Sequence, residues 1–263
     1  MYETIAHEIS DGVATISLNR PDRLNAFDGP LHRDLHAALD AAASDDDVRC
    51  VVLRGEGRGF SAGADLRGED LIRENGEPPD LGEYLRCTFA PSVGKIVAMK
   101  KPVVASLHGP VYGAGLGLAL ACDLRIAAEG ATFSVAFVKI GLMPDAGVTY
   151  LLPRVVGLGR AMEMSLLGDA VNAEEAYRIG LVNRIVPDER LAGETTALAN
   201  RLANMPTQAL AATSSALSAS FDGDLQSALE REAEGQTSLG YTADHEEGIA
   251  AFFEKRDPHF TGK

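Results

Sequence analysis

The stretch Gly113-Ala114-Gly115-Leu116-Gly117 constrains this chain more than any other. It follows an apolar strand, Pro102 to Leu107, and a turn at His108-Gly109-Pro110, and it opens an apolar helix that reaches Cys122-Asp123. Small side chains at a helix start let a ligand approach the main chain, and the unpaired N–H groups of the first turn favour negative charge. A bound anion or an oxyanion formed only during reaction suits such a place. The spacing differs from the dinucleotide fingerprint G-x-G-x-x-G, and no acidic residue ends a second strand about 20 residues on. Close helix packing is the competing explanation for the glycines taken alone. Against it stands a second small-residue loop, Phe60-Ser61-Ala62-Gly63-Ala64-Asp65, after the apolar strand Cys50 to Leu53. Two such strand-to-loop turns can aim two N–H groups at one oxygen, as an enolate or tetrahedral oxyanion requires.

Around this centre the pattern is mixed α/β. Residues 3–9 and 12–18 alternate about Asp11-Gly12 as a hairpin does. A helix is expected from Gly29 to Ala43 with Leu31, Leu35, Ala38, Leu39 and Ala42 on one face, then a strand from Val48 to Arg54. Residues 67–82 are polar and suit a lid or surface excursion. Tyr84 to Lys100 reads as one helix, Leu124 to Ala128 and Thr132 to Val135 as strands. Asn172-Ala173-Glu174-Glu175 has the form of a capping box, Gly180 closes the helix it starts, and Val182 to Val186 is the last strand. From Asp188 the pattern is helical, broken at Pro206, Gly223 and Gly240-Tyr241, an appendage that packs on the core and on neighbouring subunits. A ββα unit wound as a spiral fits this order, although no sequence repeat is visible.

Composition narrows the function. A net charge of −14 argues against nucleic acid and anionic membrane as partners. No run of 18 apolar residues occurs and Met1-Tyr2-Glu3-Thr4 has no basic leader, so a cytoplasmic location is expected. Cys50, Cys87 and Cys122 lack CxxC spacing and read as reduced, buried thiols. His32 and His36 lie one turn apart without a third ligand and read as a solvated helix face, with no metal. Ser61 has no G-x-S-x-G elbow, which argues against an acyl-serine. His108 is read as a brace of the central turn, and Asp65 and Asp123 as acceptors of backbone hydrogen bonds at loop ends.

Phe60 to Leu66, His108 to Asp123, Asn19-Arg20-Pro21 with Asn25-Ala26, Gly141 to Pro153, and Phe252-Phe253-Glu254-Lys255-Arg256 with Pro258 and Phe260 resemble the crotonase (enoyl-CoA hydratase/isomerase) family. The resemblance spans essentially the whole chain, in order. It implies an α/β fold: a ββα spiral core over 1–187 holding an acyl-CoA site, and a C-terminal helical oligomerisation region over 188–263. It further implies an acyl-CoA thioester substrate, coenzyme A as part of that substrate with no separate cofactor, and a homotrimer or a hexamer of two trimers. In the family two backbone N–H groups hold the thioester oxygen; matching positions here are Ala64 and Ala114. Substrate contacts carried over are Arg23, Leu24, Ala62, Gly63, Asp65, Leu66, Gly113, Gly117 and Phe137. Phe252 and Lys255 would touch coenzyme A bound to a neighbouring subunit. In so acidic a chain, Arg20, Arg23, Lys101 and Lys255 are the candidates for meeting the anionic coenzyme.

The chain departs from the family where chemistry is decided. Hydratases of the family hold a water between two glutamates, and the matching positions here are Gly117 and Phe137, neither of which carries a proton. Asp145, in Gly141-Leu142-Met143-Pro144-Asp145-Ala146-Gly147, stands where isomerases of the family, the phenylacetate-pathway group among them, carry an acid. One carboxylate suits a 1,3-proton shift; the competing reading of Asp145 is a plain helix N-cap. The favoured activity is therefore isomerisation, shifting a double bond or opening an epoxide-type ring substrate. The rivals are an enoyl-CoA hydratase and a CoA-thioester-binding subunit without catalysis.

Overall fold

The structure, a computed structural model, describes residues 2–68, 71, 77 and 79–263. Most of the stretch expected to form a lid lies outside those residues. The chain opens with the expected hairpin: β1 (Ile5–Ser10) and β2 (Val13–Leu18) run antiparallel. Asp11 (φ +51°) and Gly12 (φ +75°) form its two-residue turn, which requires positive φ at both positions. The Asp28 carboxylate accepts from the Leu31 N–H to start α1 (Gly29–Ser44), which buries Leu31, Leu35, Ala38, Leu39 and Ala42. β3 (Cys50–Gly55) joins β2 in parallel.

The single helix expected over Tyr84 to Lys100 is two, α2 (Leu81–Cys87) and α3 (Phe89–Val97). Pro91 has no N–H to offer Cys87, so the helix cannot run through. Thr88 leaves helical geometry (φ −122°, ψ −85°), and Pro91 falls in the first turn of α3, where no intrahelical donor is needed.

β4 (Val103–Leu107) is followed by β5 (Pro110–Tyr112), a short strand whose first residue is the last of the expected His108-Gly109-Pro110 turn. Then come α4 (Ala114–Ala121), β6 (Leu124–Ala128), β7 (Thr132–Ser134), α5 (Val148–Val156), α6 (Leu158–Leu167), β8 (Val171–Asn172), α7 (Ala173–Arg178) and β9 (Arg184–Val186). Asn172 caps α7 by accepting from the Glu175 N–H at 2.9 Å, but the Glu175 carboxylate pairs with Arg178, so only half of the capping box forms. The larger sheet runs β1-β2-β3-β4-β6-β9, parallel except for the hairpin; β5-β7-β8 form a smaller one. β3 and β4 are near-continuous apolar runs because both faces of the sheet are covered.

Val51, Leu53, Val103, Ala105 and Leu107 pack toward α1 and the residues of α4. On the other face Val52, Val104, Ile126 and Ala128 pack against α8 (Leu191–Ala203) through Leu191, Leu198, Ala199 and Ala203. The first long helix after residue 188 is thus part of the sheet's packing. α9 (Thr207–Ala219), α10 (Leu225–Leu239) and α11 (Ala243–Glu254) follow, and α10 buries none of its residues. Cys50 and Cys122 are buried, and burial pushes both thiols up to about 12. Cys87 is exposed, contrary to its expected burial, because it sits on the outer side of the short α2.

Candidate active site

The two glycine-rich turns are laid side by side. Phe60 N–H donates to His108 O at 2.9 Å, Ser61 N–H to Pro110 O at 3.2 Å, and Tyr112 N–H to Ser61 O at 2.9 Å, so the loop after β3 runs along β5. A Cβ on Gly63 (φ +91°) would lie 3.1 Å from Tyr112 O and 3.2 Å from Ala114 N, which puts the residue before Ala64 directly against the start of α4. Gly113, at φ +53° and ψ −126°, turns the chain from β5 into α4 in a conformation that excludes side chains. Close packing and ligand approach both operate here. Gly115 is a packing glycine, since its Cβ would meet Ser61 Cβ at 2.8 Å, while Gly63 and Gly113 bring the two turns together.

The Phe27 main chain bonds to Gly63 O (2.7 Å) and to the Asp65 N–H (2.8 Å), straddling Ala64. That register leaves the Ala64 N–H on the opposite edge. Ala114 is the first residue of α4, whose leading N–H groups have no intrahelical partner. Among the described residues neither amide donates to a protein acceptor. Both Ala64 and Ala114 pack against the main core.

Phe137, 7 % exposed, opens the 3-10 turn Phe137–Ile140; its Cζ would lie 3.9 Å from a Cβ on Gly113. The Leu142 N–H returns to Phe137 O at 3.1 Å, and the chain then swings through Pro144 and Asp145 to α5. Asp145 does not cap that helix: Gly147 is the cap residue and no side chain caps the end. The Asp145 carboxyl is half-buried and its Oδ1 is buried without a hydrogen-bond partner among the described residues. Burial pushes its pKa up to about 6.

Gly117, one turn into α4 from Ala114, has no room for a side chain. A Cβ there would lie 2.4 Å from Ala146 O and 2.8 Å from Ala146 Cβ. The residue next to Asp145 therefore occupies the space a side chain at 117 would need, and the aspartate is brought beside α4 in its place. Ala146 escaped sequence reading because nothing in a local pattern says which distant glycine it presses on.

Other expected site residues are placed as follows. Leu24 O accepts from the Ala62 N–H at 2.9 Å, so the Asn19–Phe27 segment underlies the loop. Arg23 is exposed, and Leu66 is 59 % exposed. Asp65 and Asp123 accept backbone hydrogen bonds as read, from Arg67 and Val103. His108 braces its turn through Nε2 and Gly57 O at 3.0 Å. Ser61 is a loop strut: its Oγ donates to Asn25 O and accepts from the Gly63 N–H. Phe252 (77 % exposed) and Lys255 end α11 on the surface, where the Lys255 N–H bonds back to Ala251 O.

Three expectations are corrected. Lys101 is not free for a coenzyme, because Nζ donates to Ala42 O and Asp45 O at the end of α1. Arg20 is likewise committed, to Asp28 and Asp65. His32 is not a solvated residue: it is 2 % exposed, packs on Phe27 and Phe89, and meets the Tyr84 hydroxyl through Nε2 at 3.0 Å. Burial, then the neighbouring His36, pushes its pKa down to about 3, so it stays neutral.

Fold and site together define a scaffold that sets around α4 two main-chain amides, unpaired among the described residues, and one half-buried carboxyl. A sequence profile described as enoyl-CoA hydratase/isomerase matches residues 8–263, and the chain belongs to that family. It is 42 % identical over 263 residues to 1,2-epoxyphenylacetyl-CoA isomerase of Escherichia coli (strain K12), covering 100 % of both chains. It is 44 % identical over 262 residues to a protein named "probable enoyl-CoA hydratase" of Rhodobacter capsulatus, covering 100 % of this chain and 99 % of that one. The crystal structure of an enoyl-CoA hydratase from Bacillus anthracis superposes with a TM-score of 0.93 at 31 % identity, covering 99 % of this chain and 100 % of that one. No helix among the described residues is long and apolar enough to cross a membrane.

Proposed function

We propose that this protein is an acyl-CoA isomerase that moves a double bond through a thioester enolate, with Asp145 as the sole acid and base. The observation that carries the proposal is the Asp145 carboxyl: Oδ1 buried and unpartnered among the described residues, pKa raised to about 6, and no room for a second carboxylate at Gly117. The ionised aspartate removes a proton from one carbon of the acyl chain. Charge moves onto the thioester oxygen, where the amides of Ala64 and Ala114 receive it; each such donor is worth about 3 kcal/mol. The protonated aspartate then returns the proton to another carbon. A pKa near neutrality lets one group serve both strokes. Phe137 at the second glutamate position puts a hydrocarbon side chain where a second carboxylate would orient a water.

The similarity to 1,2-epoxyphenylacetyl-CoA isomerase of E. coli supports an isomerase, and it extends the proposed substrate class to epoxide-type ring acyl-CoA esters. In the assembled protein, a homotrimer or a pair of them, Phe252 and Lys255 of one subunit lie against the coenzyme in the next. Incubation with a 3-enoyl-CoA and with a 2-enoyl-CoA, followed by mass spectrometry and ultraviolet absorbance, tests the reading. Unchanged mass with altered absorbance is the expected result. A mass gain of one water identifies a hydratase, and tight binding without either change identifies a binding subunit; both overturn the proposal.

A further inference from the structure

We infer that Arg20 is a positioning residue for the Ala64 amide, an inference that rests on the oxyanion-hole reading above. Its guanidinium ties the strip around Phe27 to the strip that carries that amide. Nη2 pairs with Asp28 Oδ2 at 2.8 Å and with Asp65 Oδ2 at 3.2 Å, and Nη1 donates to Ala26 O. Asp65 immediately follows Ala64, while Ala26 and Asp28 flank Phe27, whose main chain straddles Ala64. Arg20 thus fixes both flanks of Phe27 to the residue that immediately follows Ala64, the residue whose N–H must be aimed.

The rest of the Asn19–Phe27 segment is built as a platform. Asn25 is fully buried; its Oδ1 accepts from the Arg20 N–H at 2.8 Å, and its Nδ2 donates to Glu56 O and Gly59 O, both at 2.9 Å. Leu24 and Asn25 adopt left-handed φ of +51° and +52°, a strained arrangement that neighbouring contacts must over-determine. The three charged side chains are 14 to 20 % exposed, so solvent screens the pairs only in part. A planar fork with several donors can hold two carboxylates and a carbonyl at once; a lysine ammonium offers no such fixed geometry. The same bonds also mean that Arg20 is not a phosphate ligand for the coenzyme.

Arg20→Met and Arg20→Lys test the inference in the full-length protein, with a short 2-enoyl-CoA carrying 13C at the thioester carbonyl as the probe. The wild type should lower the carbonyl stretching frequency of the bound ester relative to the free one. If it does not, the oxyanion-hole reading itself fails. Given that shift, Arg20→Met should lose part of it and lower kcat by up to about 100-fold with KM changed only a few-fold, because a small misplacement of one donor acts on the developing charge. Arg20→Lys should fall between Met and wild type on both readouts, and it carries the test alone if Arg20→Met does not fold. A variant with a lower melting temperature but wild-type kcat and an undisturbed carbonyl band would show a merely structural salt bridge and overturn the inference. A large rise in KM with kcat and band unchanged would instead make Arg20 a coenzyme ligand, and would overturn it equally.

Discussion

The two sides of the candidate site are made differently. The floor is main chain: Gly63-Ala64 and Gly113-Ala114 are held by a ladder of backbone bonds to β5, Phe27 and Ser134, with Ala114 2 % exposed. The wall is one side chain, Asp145, on a loop between Met143, 73 % exposed, and the start of α5. A backbone donor is removed by point substitution only with proline and is otherwise displaced only through strain, whereas a side chain can be exchanged atom for atom. The proposed charge-stabilising function therefore sits in the least mutable part of the fold, and the proton-handling function in a replaceable one. Replacing the wall should leave binding nearly intact, and disturbing the floor should harm folding and turnover together.

The largest effect separates the two sides. Asp145→Asn should lower turnover by about 10³-fold or more while the dissociation constant for the thioester stays within a few-fold, since general acid–base catalysis is worth about 10² to 10⁴ and the proposed mechanism gives both strokes to this one group. Retained turnover would remove Asp145 from the mechanism. Next comes the contact where wall meets floor. Gly117→Ala places a Cβ 2.4 Å from Ala146 O, so it should cost about 1–3 kcal/mol in chemical denaturation and reduce turnover by shifting the Asp145 loop. For the same reason Gly117→Glu should not yield a hydratase, and water addition by that variant would break the steric argument.

Smaller effects concern pH. Because the base must start ionised, kcat/KM should rise with pH and level off above about 6, and the bend should vanish in Asp145→Asn. Stability moves the other way. The folded pKa lies above the usual carboxylate value of 3.8, so the folded state binds more protons between the two, and the aspartate's contribution to stability declines as pH rises through about 6. Thermal unfolding should therefore find Asp145→Asn more stable than wild type at pH 8, less so at pH 5, and equal below 3.8. The smallest effect is a control away from both sides: Asn172→Ala removes the cap of α7 and should cost about 1 kcal/mol with kcat unchanged.

Sequence reached much of this because the strongest signals are local. The Asp11-Gly12 hairpin, the α1 stripe, the Asn172 cap and the breaks at Pro206, Gly223 and Gly240 depend on near neighbours, and each stands where the pattern put it. The errors have two causes, one local and one tertiary. Tyr84 to Lys100 has helical periodicity throughout, but Pro91 fixes a break that periodicity alone does not weigh. His32 lies on a polar-looking helix face, and only the packing of α2 and α3 over it reveals a buried neutral imidazole.

By itself the sequence determined the family, the mixed α/β order, the two small-residue turns and the absence of a proton-carrying side chain at Gly117 and Phe137. It could not say whether Asp145 caps a helix or stands unpaired, since both follow from an aspartate after proline. Tertiary structure decided that, by starting α5 at Val148 and burying Oδ1 without a partner. It also decided why position 117 must be glycine, which depends on a contact with Ala146, a residue 29 positions away. Propensity and periodicity are properties of neighbours along the chain. Desolvation and steric exclusion belong to neighbours in space, and only the folded chain specifies those.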